Sequence, residues 1–224
     1  MLIEFRKWLY GRLALNYMTA GKSEKAEIWY KRLKSLEPES LAVLHNLGVI
    51  CISLKKFDEA EKYLLREIEL YGDSDIRYRI LGDLYYNSGR RENAGKAYGK
   101  SLTLLQNGIG DKSTERFLRR RIKQCKEISH YTKAMDGARY YEEGMALYSK
   151  GDYVKAFELY QKAVECDNAS YIALNAAGTV LMNSIKDYES ARTFFLKALE
   201  LADIPLIQGN LALAEYKIKE KGGE

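Results

Sequence analysis

Proline, histidine and cysteine are scarce in this chain, and each scarcity narrows what it can be. Two prolines in 224 residues leave long stretches free of the residue that breaks helices most strongly. The three cysteines, Cys51, Cys125 and Cys166, are odd in number, far apart and never in a Cys-x-x-Cys pair. Neither a disulfide framework nor a zinc-ligand pattern is indicated, and a reducing compartment, the cytoplasm, is expected. The two histidines, His45 and His130, stand alone, without the spacing of a zinc peptidase or a cysteine–histidine nucleophile. No run reaches the ~18 apolar residues of a membrane span. The first apolar stretch comes after Arg6 and Lys7 but is cut by Arg12 and Asn16 and lacks a cleavage site, so no signal peptide is expected.

What the chain does contain is material for helices. Hydrophobic residues make up 46% and charged residues 30%, the balance of a chain that folds around a core. Ala, Leu, Glu, Lys, Tyr and Arg run on without strand-like alternation, so an all-helical protein is expected. The 18 tyrosines call for many helix-to-helix seams, because each seeks an apolar wall for its ring and a polar partner for its tip. The net charge of +5 comes from interleaved acids and bases, the pattern of a solvated face rather than a nucleic-acid footprint.

A repeat organises these residues. From Asp75 the chain places Tyr78, Leu81, Gly82 and Tyr85 on one helix, Gly89 at a turn, and Ala94 and Tyr98 on a second helix. One period earlier stand Leu44, Leu47, Gly48, Ala60 and Leu64, with Cys51 in place of the last tyrosine of the first helix. A period before that come Tyr10, Leu13, Ala14, Tyr17, Gly21, Ala26, Tyr30 and Pro38. After a gap the pattern returns with Tyr140, Gly144, Leu147, Gly151, Tyr153, Ala156, Tyr160 and Ala163. It returns again with Leu174, Gly178 and Leu181, one inserted residue near Ile185, then Tyr188, Ala191, Phe195 and Ala198. This spacing resembles the tetratricopeptide repeat (TPR) family, W-x2-L-G-x2-Y and then A-x3-F. The resemblance implies an all-α, right-handed superhelical solenoid of about five helix-turn-helix units. Pro205 opens a last amphipathic helix, expected to act as a C-terminal cap. Recurring Gly and Ala at matching places fit close helix approach, since a glycine inside a helix otherwise costs about 1 kcal/mol relative to alanine.

Three segments are expected: a block of three repeats at 1–106, an interruption at 107–136, and a block of two repeats plus the cap at 137–224. Within the interruption, NGIGDKS reads as a polar loop, with Asp111 or Ser113 capping the next helix. A single long helix is expected from Thr114 to about Lys133, either a degenerate repeat with fused helices or a linker between two short solenoids. That helix concentrates Lys112, Arg116, Arg119, Arg120, Arg121, Lys123 and Lys126 against Glu115. A solvated face paired with acids on neighbouring repeats is one reading, and a patch for nucleic acid or another anionic surface is the alternative. Aromatic residues for base stacking are missing beyond Phe117, which disfavours nucleic acid.

Catalytic chemistry finds no foothold. GIGDKST misses the spacing of a phosphate-binding loop and has no strand before it. Cys51 sits at a packing position and reads as an inert buried thiol. Paired carboxylates among so many Glu and Lys read as helix-face partners. No enzyme, cofactor or metal is implied.

The TPR resemblance further implies a ligand groove lined by the first helix of each pair. Carried onto this chain, its contact positions are Trp8, Arg12, Leu15 and Met18, then His45, Asn46, Val49 and Ile52, then Ile76, Arg79, Ile80, Asp83, Tyr86 and Asn87. The later block supplies Tyr141, Glu142, Met145 and Tyr148, then Asn175, Thr179, Met182 and Asn183, with Asn210 from the cap. Apolar residues and asparagines dominate, so an extended or helical polypeptide with hydrophobic side chains is the expected ligand, and a second copy of the chain is another occupant. Chaperone-binding relatives clamp an acidic C-terminus with basic residues and asparagine. Leu15 and Met145 stand here in place of the first asparagine, and Ile76, Ile80, Ile172 and Ala176 in place of the bases, so that ligand is not expected.

Overall fold

The computed structural model describes residues 1–108 and 111–222, and these form helices and turns without a strand. The chain divides into two compact units, Met1–Gly108 and Ile109–Glu224. The first holds three antiparallel pairs: α1 (Leu2–Thr19) with α2 (Ser23–Lys34), α3 (Leu41–Ser53) with α4 (Phe57–Tyr71), and α5 (Asp75–Asn87) with α6 (Arg91–Gln106). Each pair turns through one left-handed residue, Gly21 (φ 69°), Lys55 (φ 58°) and Gly89 (φ 82°). Two of the three are glycine, the residue that adopts this conformation without a steric penalty.

Why the first helix of a pair carries a small residue is clearest at Gly82. A Cβ built there would stand 2.5 Å from the Tyr98 ring, sixteen residues on, so the missing methyl is the space the ring occupies. Tyr98 is fully buried and donates its hydroxyl to Asp83 Oδ1 at 2.7 Å, which satisfies the one polar atom the ring carries inward. The same interlock recurs between Gly48 and Leu64, Gly144 and Tyr160, and Gly178 and Phe195. Beside these interlocks Ala60, Ala94, Ala156 and Ala191 are buried completely, which lets the second helix close on the first. Leu44, Leu47, Leu64 and Leu84 fill the remaining space between neighbouring pairs.

The second unit opens with a helix that has no partner in the repeat. α7 (Lys112–Lys126) is capped by Asp111, whose carboxylate accepts from Ser113 N at 3.2 Å and Thr114 N at 2.8 Å. After it come the pair α8 (Ile128–Ser149) and α9 (Tyr153–Cys166), the pair α10 (Tyr171–Val180) and α11 (Tyr188–Leu199), and α12 (Pro205–Gly222). The single helix expected from Thr114 to Lys133 is therefore corrected. The chain breaks at Glu127, which is extended (φ −119°, ψ 132°), and the residues beyond it belong to α8. Two features separate the helices. The apolar stripe of α7, with Phe117, Leu118 and Cys125 buried, faces its own neighbours. α8 is anchored elsewhere, through Gly137, where a Cβ would meet the Ala163 carbonyl oxygen at 2.9 Å.

The inserted residue near Ile185 also has a structural outcome. Gly178 precedes Ala191 by thirteen residues, where the other pairs use twelve. The extra residue is absorbed in a π-helical turn, Leu181–Ile185, that continues α10 and ends at left-handed Lys186 (φ 65°). Packing on either side of the turn keeps the register of the other pairs, with Gly178 on Phe195 before it and Ala191 buried after it. The loop read at 107–113 includes Ile109 and Gly110, which lie outside the described residues.

Candidate functional site

The expected groove residues lie on the first helices, but they divide by exposure. Trp8, Arg12, Leu15, Ile76, Asn87, Glu142, Met145, Tyr148 and Asn183 are exposed. Met18, His45, Asn46, Val49, Ile52, Arg79, Asp83, Tyr141, Asn175, Thr179 and Asn210 are half-buried. Ile80, Tyr86 and Met182 are buried and belong to the core, a correction to their placement on a ligand face. Tyr86 is held 6.2 Å from the Tyr98 ring, so it serves the Gly82–Tyr98 interlock rather than the surface.

Several of these polar groups are tied to one another. Asn46 donates Nδ2 to the Tyr30 hydroxyl at 2.9 Å, and Asn210 donates Nδ2 to Asn175 Oδ1 at 3.0 Å. Asn87 Nδ2 donates to the Asp83 carbonyl at 2.8 Å, and Thr179 Oγ1 to the Asn175 carbonyl at 2.8 Å. These bonds fix the amides in one orientation.

A more unusual arrangement lies where α3, α4 and α5 meet. Glu67 of α4 is 1% exposed. Its Oε1 is 3.2 Å from His45 Nδ1 and accepts from Arg77 Nε at 3.1 Å, while its Oε2 is buried without a hydrogen-bond partner. Arg77 also donates Nη1 to the Tyr71 and Gly72 carbonyls at 3.2 Å each, which ties the end of α4 to the start of α5. Beside the carboxylate opens a pocket of about 390 Å3 lined by Leu41, Ala42, His45, Asn46, Ser74 and Ile76. Sequence reasoning placed His45, Asn46 and Ile76 on this face but missed Glu67 and Arg77. The signal was present: in the other pairs the position of Glu67 holds Leu33, Ser101, Ala163 and Ala198, all buried and none charged.

The remaining polar clusters have partners of their own. Glu27, Cys51 and Glu59 bring three potential metal-ligand atoms within 4.8 Å of one another. Lys31 Nζ sits 2.8 Å from Glu27 and 3.0 Å from Glu59, and Lys56 Nζ sits 2.7 Å from Glu27. Burial pushes the Cys51 thiol up to about 11. A cation would have to displace two ammonium groups and deprotonate that thiol, so the donor set does not suit a metal.

The basic helix is engaged within its own unit. Arg116 Nε donates to the Glu200 carbonyl at 2.8 Å, and Arg120 Nη1 donates to the Asn168 carbonyl. Arg121 Nη1 meets Asp167 Oδ1 at 3.0 Å and Oδ2 at 2.9 Å, and Gln124 Nε2 adds a bond of 2.8 Å to the same carboxylate. Arg119 pairs with Glu115. Glu200 caps the C-terminus of α11, and Asp167 and Asn168 lie just past the C-terminus of α9. Three arginines of α7 thus meet the negative ends of two helices, where cations are stabilising. Lys123 and Lys126 complete the expected patch.

Stacked antiparallel helix pairs, each interlocked by a small residue and a large one, define a helical-repeat protein of the protein-interaction class. Family models described as tetratricopeptide repeat match residues 9–40, 41–73, 78–104 and 137–170, and the chain belongs to this family. The pair α10–α11, whose first helix carries the insertion, lies outside those four segments. Among curated proteins, the chain is 24% identical over 210 residues to BBSome complex member BBS4 of Bos taurus, covering 93% of this chain and 35% of that protein. It is 22% identical over 148 residues to Protein STIP1 homolog of Dictyostelium discoideum, covering 63% and 26%. The chain therefore spans about a third or less of the length of these relatives. Among solved structures, MamA is similar at 20% identity and a TM-score of 0.41, covering 88% of this chain and 91% of that chain. No helix of the described residues is long and apolar enough to cross a membrane.

Proposed function

We propose that the chain is a non-catalytic scaffold that holds a polypeptide segment, extended or helical, on the face formed by its first helices. The observation that carries this reading is the set of large apolar side chains left exposed on that face in both units. Trp8, Leu15, Ile76, Met145 and Tyr148 are 37% to 60% exposed, each at a ligand position of the family register. Half-buried His45 and Asn46 line one pocket with Ile76 and offer polar atoms for main-chain hydrogen bonds whatever the ligand's side chains. The engaged arginines of α7 lend no support to an anionic-surface reading.

A photo-crosslinking residue placed at Trp8, Asn87 or Met145 tests the proposal in the source cell, with Leu65 and Leu196 on second helices as controls. Discrete adducts from the first three positions and none from the controls are expected. Equal labelling from both sets would sink the reading. A second copy of the chain as occupant would appear as a concentration-independent dimer in light scattering. Recovery that collapses between about 50 and 200 mM salt would transfer the function to α7.

A further inference from the structure

Glu67 is the feature the scaffold itself does not explain. A carboxylate buried to 1% exposure, with one oxygen unpartnered, stands where the other pairs place leucine, serine or alanine. Folding alone favours those residues, because a buried acceptor left without a donor is destabilising. The carboxylate borders the pocket between α3 and α5, whose walls include exposed Leu41 and Ile76.

Two acceptors are left over on the wall of this pocket, with Glu67 Oε2 sealed from solvent behind them. The first is His45 Nε2, because the Nδ1 proton is assigned to the bond with Glu67. The second is Asn46 Oδ1, because Nδ2 is donated to Tyr30. A cationic ligand is disfavoured, since Arg77 already neutralises the carboxylate and would repel a second positive charge. The complement is a neutral donor on a broad apolar body. Indole fits best: its N–H only donates, whereas a phenol brings lone pairs of its own to a floor of acceptors.

We propose that this pocket recognises a tryptophan side chain of the bound polypeptide, its ring between Leu41 and Ile76 and its N–H directed to the acceptors around Glu67. The proposal rests on the polypeptide-binding reading and names the anchor that the ligand presents. It gives Glu67 a role that an alanine could not fill, at a position where Ala163 and Ala198 show that alanine packs well.

The test is an amide-resolved NMR titration of the full isotope-labelled chain with N-acetyl-tryptophan amide and with the same compound methylated on the indole nitrogen. Shifts are expected at 41–46 and 74–77, with affinity roughly tenfold weaker for the methylated probe, the size of one hydrogen bond. Glu67→Ala should weaken the unmethylated probe to the same degree while the chain stays folded. Equal binding of the two probes, or shifts confined to other residues, overturns the proposal, and the methylated comparison needs no variant. The probe requires no partner, so the two readings fail separately. Crosslinks on the first-helix face with a pocket blind to indole keep the scaffold reading and overturn the tryptophan pocket.

Discussion

At Gly82 one hydrogen decides whether a seam closes. A methyl there would meet the Tyr98 ring at 2.5 Å, against a side chain that is fully buried and held by Asp83. Neither partner can move away, so Gly82→Ala is expected to destabilise by about 1 to 3 kcal/mol through overpacking. Gly99 is the control. It lies inside α6, and a Cβ built on it meets nothing within 4 Å. Gly99→Ala should therefore stabilise by roughly 0.5 to 1 kcal/mol, the ordinary gain of alanine over glycine in a helix. Urea melts of the two variants should move in opposite directions, and a shared direction would refute the interlock. The repeat pattern revealed Gly82 because its spacing from Tyr98 recurs. Glu67 went unread because the pattern describes what positions share, and Glu67 is a departure from it.

Individual helices carry their own tests. Asp111 caps α7, and the balance at its carboxyl is instructive: burial pushes it up, yet the bonds from Ser113 and Thr114 outweigh burial and bring it down to about 2. A folded value below the unfolded one means the stabilisation is complete above the unfolded range near 4 and is lost as pH falls toward about 2. Asp111→Ala should cost about 1 kcal/mol at neutral pH, and its gap from the native chain in thermal melts should shrink across that acid window. The π turn of α10 makes a second prediction. Deleting Ser184 restores the twelve-residue spacing of the other pairs and converts the turn to ordinary helix, so the melting temperature is expected to hold, whereas deleting Leu84 from α5 should unfold its pair. The inserted residue was legible from sequence because repeats on both sides kept their phase. The break at Glu127 was not, because the apolar stripe of α7 runs on through Ile128 in sequence, and only the close approach of Gly137 to the end of α9 shows that α8 answers to a different neighbour.

For the whole molecule, both tryptophans, Trp8 and Trp29, fall in the first unit, in α1 and α2. Their fluorescence reports that unit alone, while far-ultraviolet circular dichroism reports helices throughout. Arg121 belongs to the second unit, with its guanidinium on Asp167, and both side chains are almost wholly withdrawn from water. Removing the cation leaves a buried carboxylate held only by Gln124 Nε2 and the Ala169 amide. A one-sided break of this kind costs about 3 to 5 kcal/mol, because the surviving charge keeps its desolvation penalty and loses its counter-charge. If the two compact units unfold as separate cooperative blocks, Arg121→Ala should move the dichroism transition to lower urea and leave the tryptophan transition in place. Gly82→Ala should move the tryptophan transition to lower urea, together with the first unit's share of the dichroism, and leave the second unit's share in place. A tryptophan midpoint displaced by Arg121→Ala as far as the dichroism midpoint would mean that the repeats melt as one array. Nearest-neighbour coupling along the helices would then outweigh the division into units.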